Sequence, residues 1–315
     1  MKGHAMKVAR LQTLLGMIIA TSALGARGLS CGPCPESYTQ TIPILPPSGD
    51  GGTPGEIDAS AACEELCVDA IHCEAIQIPL EGGTMPAIEC TRPTGGCPGG
   101  RRPPGLAGAA FEDSDETSAG WLARAAFLEQ ASVDAFRSLR RDLRALGAPR
   151  RLLRAASRAA RDEKRHARRM RAIARRHGAT VPLPEVLPMS GAPTLESIAA
   201  HNAAEGCVLE TFGALLARWQ AEAAVDREFS SAMKRIAPDE ARHAALAWDI
   251  DAWARRRLDP LARARVDRAR AGAVRELFAE LARPAEEALT QAVGLPRREV
   301  AEHLARRLLE TLGVV

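Results

Sequence analysis

Two stretches of this 315-residue chain repeat one another, and the repeat carries charged groups that a helical fold has to turn inward. Asp162-Glu163-Lys164-Arg165-His166-Ala167 returns as Asp239-Glu240-Ala241-Arg242-His243-Ala244. Glu129 stands 34 residues before Glu163, and Glu205 stands 35 before Glu240. Glu129 is followed at +5 and +7 by Asp134 and Phe136, Glu205 at the same offsets by Glu210 and Phe212. An internal duplication of a helix pair is the simplest explanation.

The surrounding apolar residues recur at helical spacing. Leu122, Ala126, Val133, Phe136, Leu139 and Leu143 share one face of a first helix, which Gly147 and Pro149 separate from the next. Ala156, Ala160, Met170 and Ile173 face inward on a second helix that runs to about His177 and ends at Gly178. The polar stretch Ala179 to Pro193 is long enough for a crossover along the helices rather than a tight turn. A third helix starts near Thr194, with Ile198, Leu209, Phe212, Leu216 and Trp219 inward, and turns near Ala221 to Asp226. A fourth, to about Leu258, places Phe229, Met233, Ile236, Ala247 and Ile250 on one face. Pro238 is expected to kink this helix or mark its true start.

Residues three apart lie on one side of a helix, so Glu163 and His166 reach a common point, as do Glu240 and His243. These four, with Glu129 and Glu205, fall within the inward stripes. Four buried carboxylates would repel one another at high cost unless positive charge sits among them. Two divalent cations balance four carboxylates, and two neutral imidazoles complete the donor set. Glu210, at +5 from Glu205, points about 140° away on an α-helix and is expected to face elsewhere. His177 and His201 read as helix-end or surface histidines, and Cys207 as a small core residue.

On these motifs, residues 117 to 258 resemble the ferritin-like superfamily, which includes bacterioferritins, rubrerythrins and related di-metal oxidases. The resemblance implies an all-α four-helix bundle with one long crossover. It implies metal ligation by Glu129, Glu163, His166, Glu205, Glu240 and His243, with Glu163 and Glu240 bridging two ions, iron first and manganese second. Asp162 and Asp239 match a frequent supporting acid of that motif, each placed to orient the histidine of the opposite pair. Arg165 and Arg242 lie beside them. The implied activity is redox chemistry with dioxygen or peroxide. The alternatives are an envelope protein that sequesters metal without turnover and a structural lipoprotein that retains the site. The rubredoxin-like cysteine spacing of a rubrerythrin electron relay is missing. The single tyrosine, Tyr38, lies outside the helical region, which counts against a tyrosyl-radical role.

Upstream, the chain changes character. Lys2, Lys7 and Arg10 precede an apolar run from Leu11 to Ala26, short for a membrane span of ~20 residues but suited to an export signal over 1–30, with an uncleaved membrane anchor as the rival reading. Ala23-Leu24-Gly25 offers a cleavage site, and Gly28-Leu29-Ser30-Cys31 a loose lipoprotein box with Cys31 as lipid acceptor. The expected location is then the periplasm, or the outer membrane through a lipid anchor. Residues 31–112 carry 11 acidic and three basic groups and seven of the eight cysteines. With Cys31 lipidated, Cys34, Cys63, Cys67, Cys73, Cys90 and Cys97 permit three disulfides in an irregular, Pro/Gly-rich segment that ends in a linker. A zinc or iron-sulfur cluster is the rival reading, although paired C-x-x-C motifs are absent.

The bundle proper is placed at 113–258 and a helical C-terminal extension at 259–315. Asp259-Pro260 reads as a cap followed by proline at the first helical position, Pro284 and Pro296 start two shorter helices, and Leu304, Leu308 and Leu312 form an apolar stripe. With 11 aromatic residues, the chain is poorly supplied for a β-sandwich or barrel. Its arginines alternate with acids along helix faces, without the basic tracts or interleaved aromatics of a nucleic-acid binder.

Overall fold

The computed structural model describes residues 8–22, 37–43, 72–80, 83–93, 100–109, 111, 117–188, 192–282 and 287–314. The chain divides into two compact units, one over 35–96 and one drawing on 1–34 and 97–315. The proposed cleavage site, Cys31, Cys34, Cys63, Cys67, Cys97 and Pro284 lie outside the described residues.

The smaller unit departs from the irregular segment expected. It holds β1 (Ser37–Pro43), β2 (His72–Leu80) and β3 (Gly83–Pro93) in an antiparallel sheet of order β1-β3-β2. Scarce aromatics argue against a large sandwich, but three strands need only β-branched residues, and Thr39, Thr41, Ile42, Ile76, Ile78, Ile88 and Thr91 supply them. The register sets Cys73 opposite Cys90.

The larger unit is helical. Its principal helices are α2 (Ser118–Ala145), α3 (Arg150–Arg176), α4 (Leu195–His201), a π-helical segment (Asn202–Glu210), α5 (Thr211–Ala223) and α6 (Arg227–Arg255). Their boundaries follow local chemistry. The Thr117, Thr194 and Asp226 side chains accept hydrogen bonds from first-turn N–H groups, satisfying donors that a helix start otherwise leaves open. Gly147 and Gly178 take φ of +70° and +85° just past the ends of α2 and α3, a conformation costly for a side chain. Helices α2 and α3 pack along their length, as do α5 and α6, and α3 and the π segment both pack on α6.

The apolar stripes are buried as their spacing predicts, with instructive exceptions. Ala160 is half-buried while Ala159 is buried, and in the third helix Leu209 and Trp219 are half-buried while Val208 and Leu215 take the interior. That slip begins at the π segment, which replaces the uninterrupted α-helix expected from Thr194 onward. Gly206 lowers the cost of departing from α geometry, and the Thr211 hydroxyl donates to the Gly206 carbonyl five residues back at 3.0 Å. Pro238 neither starts nor ends α6, which continues through it to Arg255.

Helices α7 (Pro260–Leu281), α8 (Glu287–Val293) and α9 (Arg298–Leu312) complete the unit. Asp259 caps α7 by accepting from Ala262 N at 2.8 Å, with Pro260 at the first position. Leu304, Leu308 and Leu312 are buried in one cluster with Val208, Phe212 and Leu215. The segment read as an export signal forms α1 (Val8–Ser22), whose Leu11, Leu15, Ile18 and Ile19 enter that same cluster. No helix among the described residues is long and apolar enough to cross a membrane.

Residues 100–109, expected to be linker, belong to the helical unit. Leu106 pairs with Val186 of the crossover, flanked by bonds from Ala107 N to Glu185 O and from Leu187 N to Gly105 O. Gly100, at φ +58°, lies so close to α2 that a Cβ would meet Ser132 Oγ at 2.2 Å. The Ser132 hydroxyl donates to the Arg101 carbonyl at 2.7 Å, pinning this arm to the helix.

Candidate metal centre

Helix α2 brings Glu129, α3 brings Glu163 and His166, and α6 brings Glu240 and His243 to one buried place. One oxygen or nitrogen from each of Glu129, Glu163, His166 and Glu240 lies within 4.8 Å of the others. A second group, Glu163, Glu210 and His243, meets the same limit. Glu163 is common to both and divides its oxygens between them, Oε1 at 3.0 Å from His243 Nδ1 and Oε2 at 3.6 Å from His166 Nδ1. Glu240 Oε1 is 3.1 Å from His166 Nδ1 and 3.6 Å from His243 Nδ1, so it too faces both histidines.

The sixth residue is not the expected one. Glu205 turns away from the cluster and meets the arm, where Arg102 donates to it from the backbone N–H at 3.1 Å and from Nη2 at 2.5 Å. Burial disfavours its charge, but the Arg102 guanidinium outweighs this and holds the Glu205 carboxyl below the usual range. Glu210 takes the place by the site. An i→i+5 segment accommodates one residue beyond α-helical count, equivalent to about 100° of rotation, which removes most of the separation that α geometry puts between positions +0 and +5.

The supporting acids do cross over between the repeats. Asp239 Oδ2 lies 3.1 Å from His166 Nε2, and Asp162 Oδ2 lies 3.4 Å from His243 Nε2. With its outer nitrogen bonded to a carboxylate, each ring presents Nδ1 to the centre. Arg165 Nη2 donates to Asp162 at 2.6 Å and Asp239 at 3.2 Å, and Arg242 pairs with the same two acids, closing a square of alternating charge over the histidines. Burial would lift the Asp162 carboxyl, but its bonds to His243 and Arg165 bring it down to about 2. Asp162→Asn and Asp239→Asn are each expected to weaken metal binding by about 10- to 100-fold while leaving the fold intact, measured by competition with a chromophoric chelator.

The centre is short of positive charge. Burial works against protonating His166 and His243, yet the surrounding carboxylates raise both well above the ordinary histidine range. Burial, reinforced by Glu163, pushes Glu129 well above the usual carboxylate range. Glu210 is pushed up to about 8 by burial, against the opposing influence of Arg101 and His243. Eight donor atoms here are buried without a hydrogen-bond partner: Glu129 Oε2, both oxygens of Glu163 and Glu210, Glu240 Oε1, and Nδ1 of both histidines. Buried polar atoms are ordinarily satisfied, and this many converging exceptions of hard and borderline donor type fit metal ions.

Residues that the periodicity missed surround Glu210. Arg101, from the arm, is buried, with Nη1 3.6 Å from Glu210 Oε2 and both Nη groups donating to Asn202 Oδ1 at 3.1 and 3.2 Å. The position of Gly206 amid a helical run was the available signal for close approach, since a Cβ there would meet Arg101 Nη1 at 2.9 Å. Cys207 is buried, its thiol pushed up to about 12 by burial, and His177 bonds to Asp226 at the end of α3. No family model, no curated protein and no solved structure matches the chain.

Proposed function

We propose that the chain is a di-metal carboxylate redox protein of ferritin-like type, iron being the first expectation and manganese the second, which reacts with dioxygen or peroxide. The observation that carries this reading is the convergence on one place of buried carboxylate and imidazole donors, eight of whose atoms make no hydrogen bond. The pairing of α2 with α3 and of α5 with α6, joined by the crossover at 179–193, supports a four-helix bundle. Glu129, Glu163, His166 and Glu240 would hold one ion, and Glu163, Glu210 and His243 the other, with Glu163 common to both.

Bound iron would supply the electrons that reduce dioxygen or peroxide. The chain's own part is to orient and exclude. Asp239 and Asp162 hold the proton on Nε2 of His166 and His243, leaving each Nδ1 lone pair directed to the centre. Phe136 lies 5.1 Å from the His243 ring and, with the buried apolar residues around it, keeps bulk water away. Residues 100–315 contain no tyrosine, so no tyrosyl radical is available within the helical unit.

Anaerobic titration of the full chain with ferrous iron, followed by addition of oxygen or peroxide, tests the proposal. Two ions per chain with rapid consumption of the oxidant is the expected result. Two ions without consumption would assign sequestration instead, and no bound metal would overturn both.

For the N-terminal region we propose export on the basic-then-apolar pattern of residues 1–30, with the mass of the mature N-terminus distinguishing cleavage from lipidation at Cys31.

A further inference from the structure

We infer that Arg101 is a positioning residue that engages Oε2 of Glu210 and so leaves Glu210 a single oxygen, Oε1, for the second metal ion. The inference rests on the two-ion reading above and deepens it. It would leave the position beside His243 the more weakly held of the two, and the one with room for a further ligand.

The arginine is fixed both at its backbone and at its guanidinium. Its backbone is fixed by the Ser132 hydroxyl bonded to the Arg101 carbonyl. Its two Nη groups share Asn202 Oδ1, and that amide cannot turn freely because its Nδ2 donates to the Ala247 carbonyl at 2.9 Å. Its plane carbon lies 5.9 Å from the centre of the Phe136 ring, which in turn packs on His243. Gly206 supplies the space that any side chain would fill. The fork is therefore preorganised with one edge on Asn202 and Nη1 toward Glu210 Oε2, at ion-pair distance. Arg102, the next residue, takes Glu205. The two arginines of the arm thus divide the two acids of the π segment: Glu205 is bonded to Arg102, and Glu210 has one oxygen at ion-pair distance from Arg101.

Removing the Arg101 charge frees Glu210 to chelate through both oxygens and removes a cation that repels the second ion. Anaerobic titration of the full chain with Co(II) reads both effects, because stepwise affinities report the charge and visible absorption weakens as coordination number rises. In Arg101→Gln the second ion is expected to bind about tenfold more tightly, with weaker absorption, while the first changes little. Arg101→Lys keeps the charge but has no fork. Its ammonium is expected to stay on Asn202 and release Glu210, giving a smaller gain in the same direction.

A merely structural role for Arg101 predicts the opposite sign, since a loosened arm would weaken the site. Unchanged or weaker binding of the second ion in Arg101→Gln, or in Arg101→Lys should the glutamine variant not fold, overturns the inference while leaving the two-ion reading in place. A wild-type chain that binds no Co(II) fails the two-ion reading itself.

Discussion

Addition of metal is expected to raise the melting temperature of the wild-type helical unit by about 10 °C or more, and to leave a Glu163→Ala, Glu240→Ala double variant unmoved. Free metal at about 100 times the dissociation constant contributes about 2.7 kcal/mol per site through binding to the native state alone. For a unit of this size each kcal/mol moves the midpoint by roughly 2 to 4 °C, so two sites give a shift that calorimetry resolves easily. The double variant removes the two residues that face both histidines and therefore disables both positions at once. An equal shift in the variant would mean that the metal binds elsewhere, for instance to acids on the helix surfaces, and the buried centre would lose its support.

The second large effect separates two glutamates five residues apart. Glu210→Ala is expected to leave one tightly bound ion per chain in place of two, because it removes one of the three donors grouped at the His243 position. Glu205→Ala is expected to retain two, because that carboxylate is committed to Arg102. Its cost falls on stability instead. Leaving the half-buried Arg102 without its acid is expected to destabilise the unit by about 1 to 3 kcal/mol, read as a lower denaturant midpoint. The reverse outcome, loss of an ion from Glu205→Ala alone, would return the ligand role to the residue that α-helical spacing selects.

Those two glutamates also show where sequence reading reaches its limit. The convergence of Glu163, His166, Glu240 and His243 was legible because E-x-x-H places its members on one face within a single helical turn, which leaves little room for register error, and Glu129 because it falls on the inward stripe of its helix. The crossed support of His166 by Asp239 and of His243 by Asp162 came from the resemblance rather than from spacing, since each acid matches a supporting acid of the resembling motif. Glu205 and Glu210 were assigned by extending an ideal α-helix, and the π segment at Asn202–Glu210 breaks that extension. The same slip moves Val208 and Leu215 into the core ahead of Leu209 and Trp219. In the smaller unit the Pro/Gly-rich composition read as irregular, whereas three short strands drawing on Thr and Ile form a sheet.

By itself, the sequence determined where most of the bundle helices begin and end, since caps such as Asp226 and Asp259 and glycines such as Gly147 and Gly178 act through bonds and dihedral angles within a few residues. It also determined that the interior must hold charge, because duplicated acids and histidines fall on apolar stripes. Only the tertiary structure decided which acid of the third helix joins the centre. That choice depends on Arg101 and Arg102, about 100 residues away in sequence, entering beside Gly206 and each claiming a carboxylate. Helical periodicity is a local property, whereas the neutralisation of a buried charge is settled by whichever opposite charge the fold brings within reach.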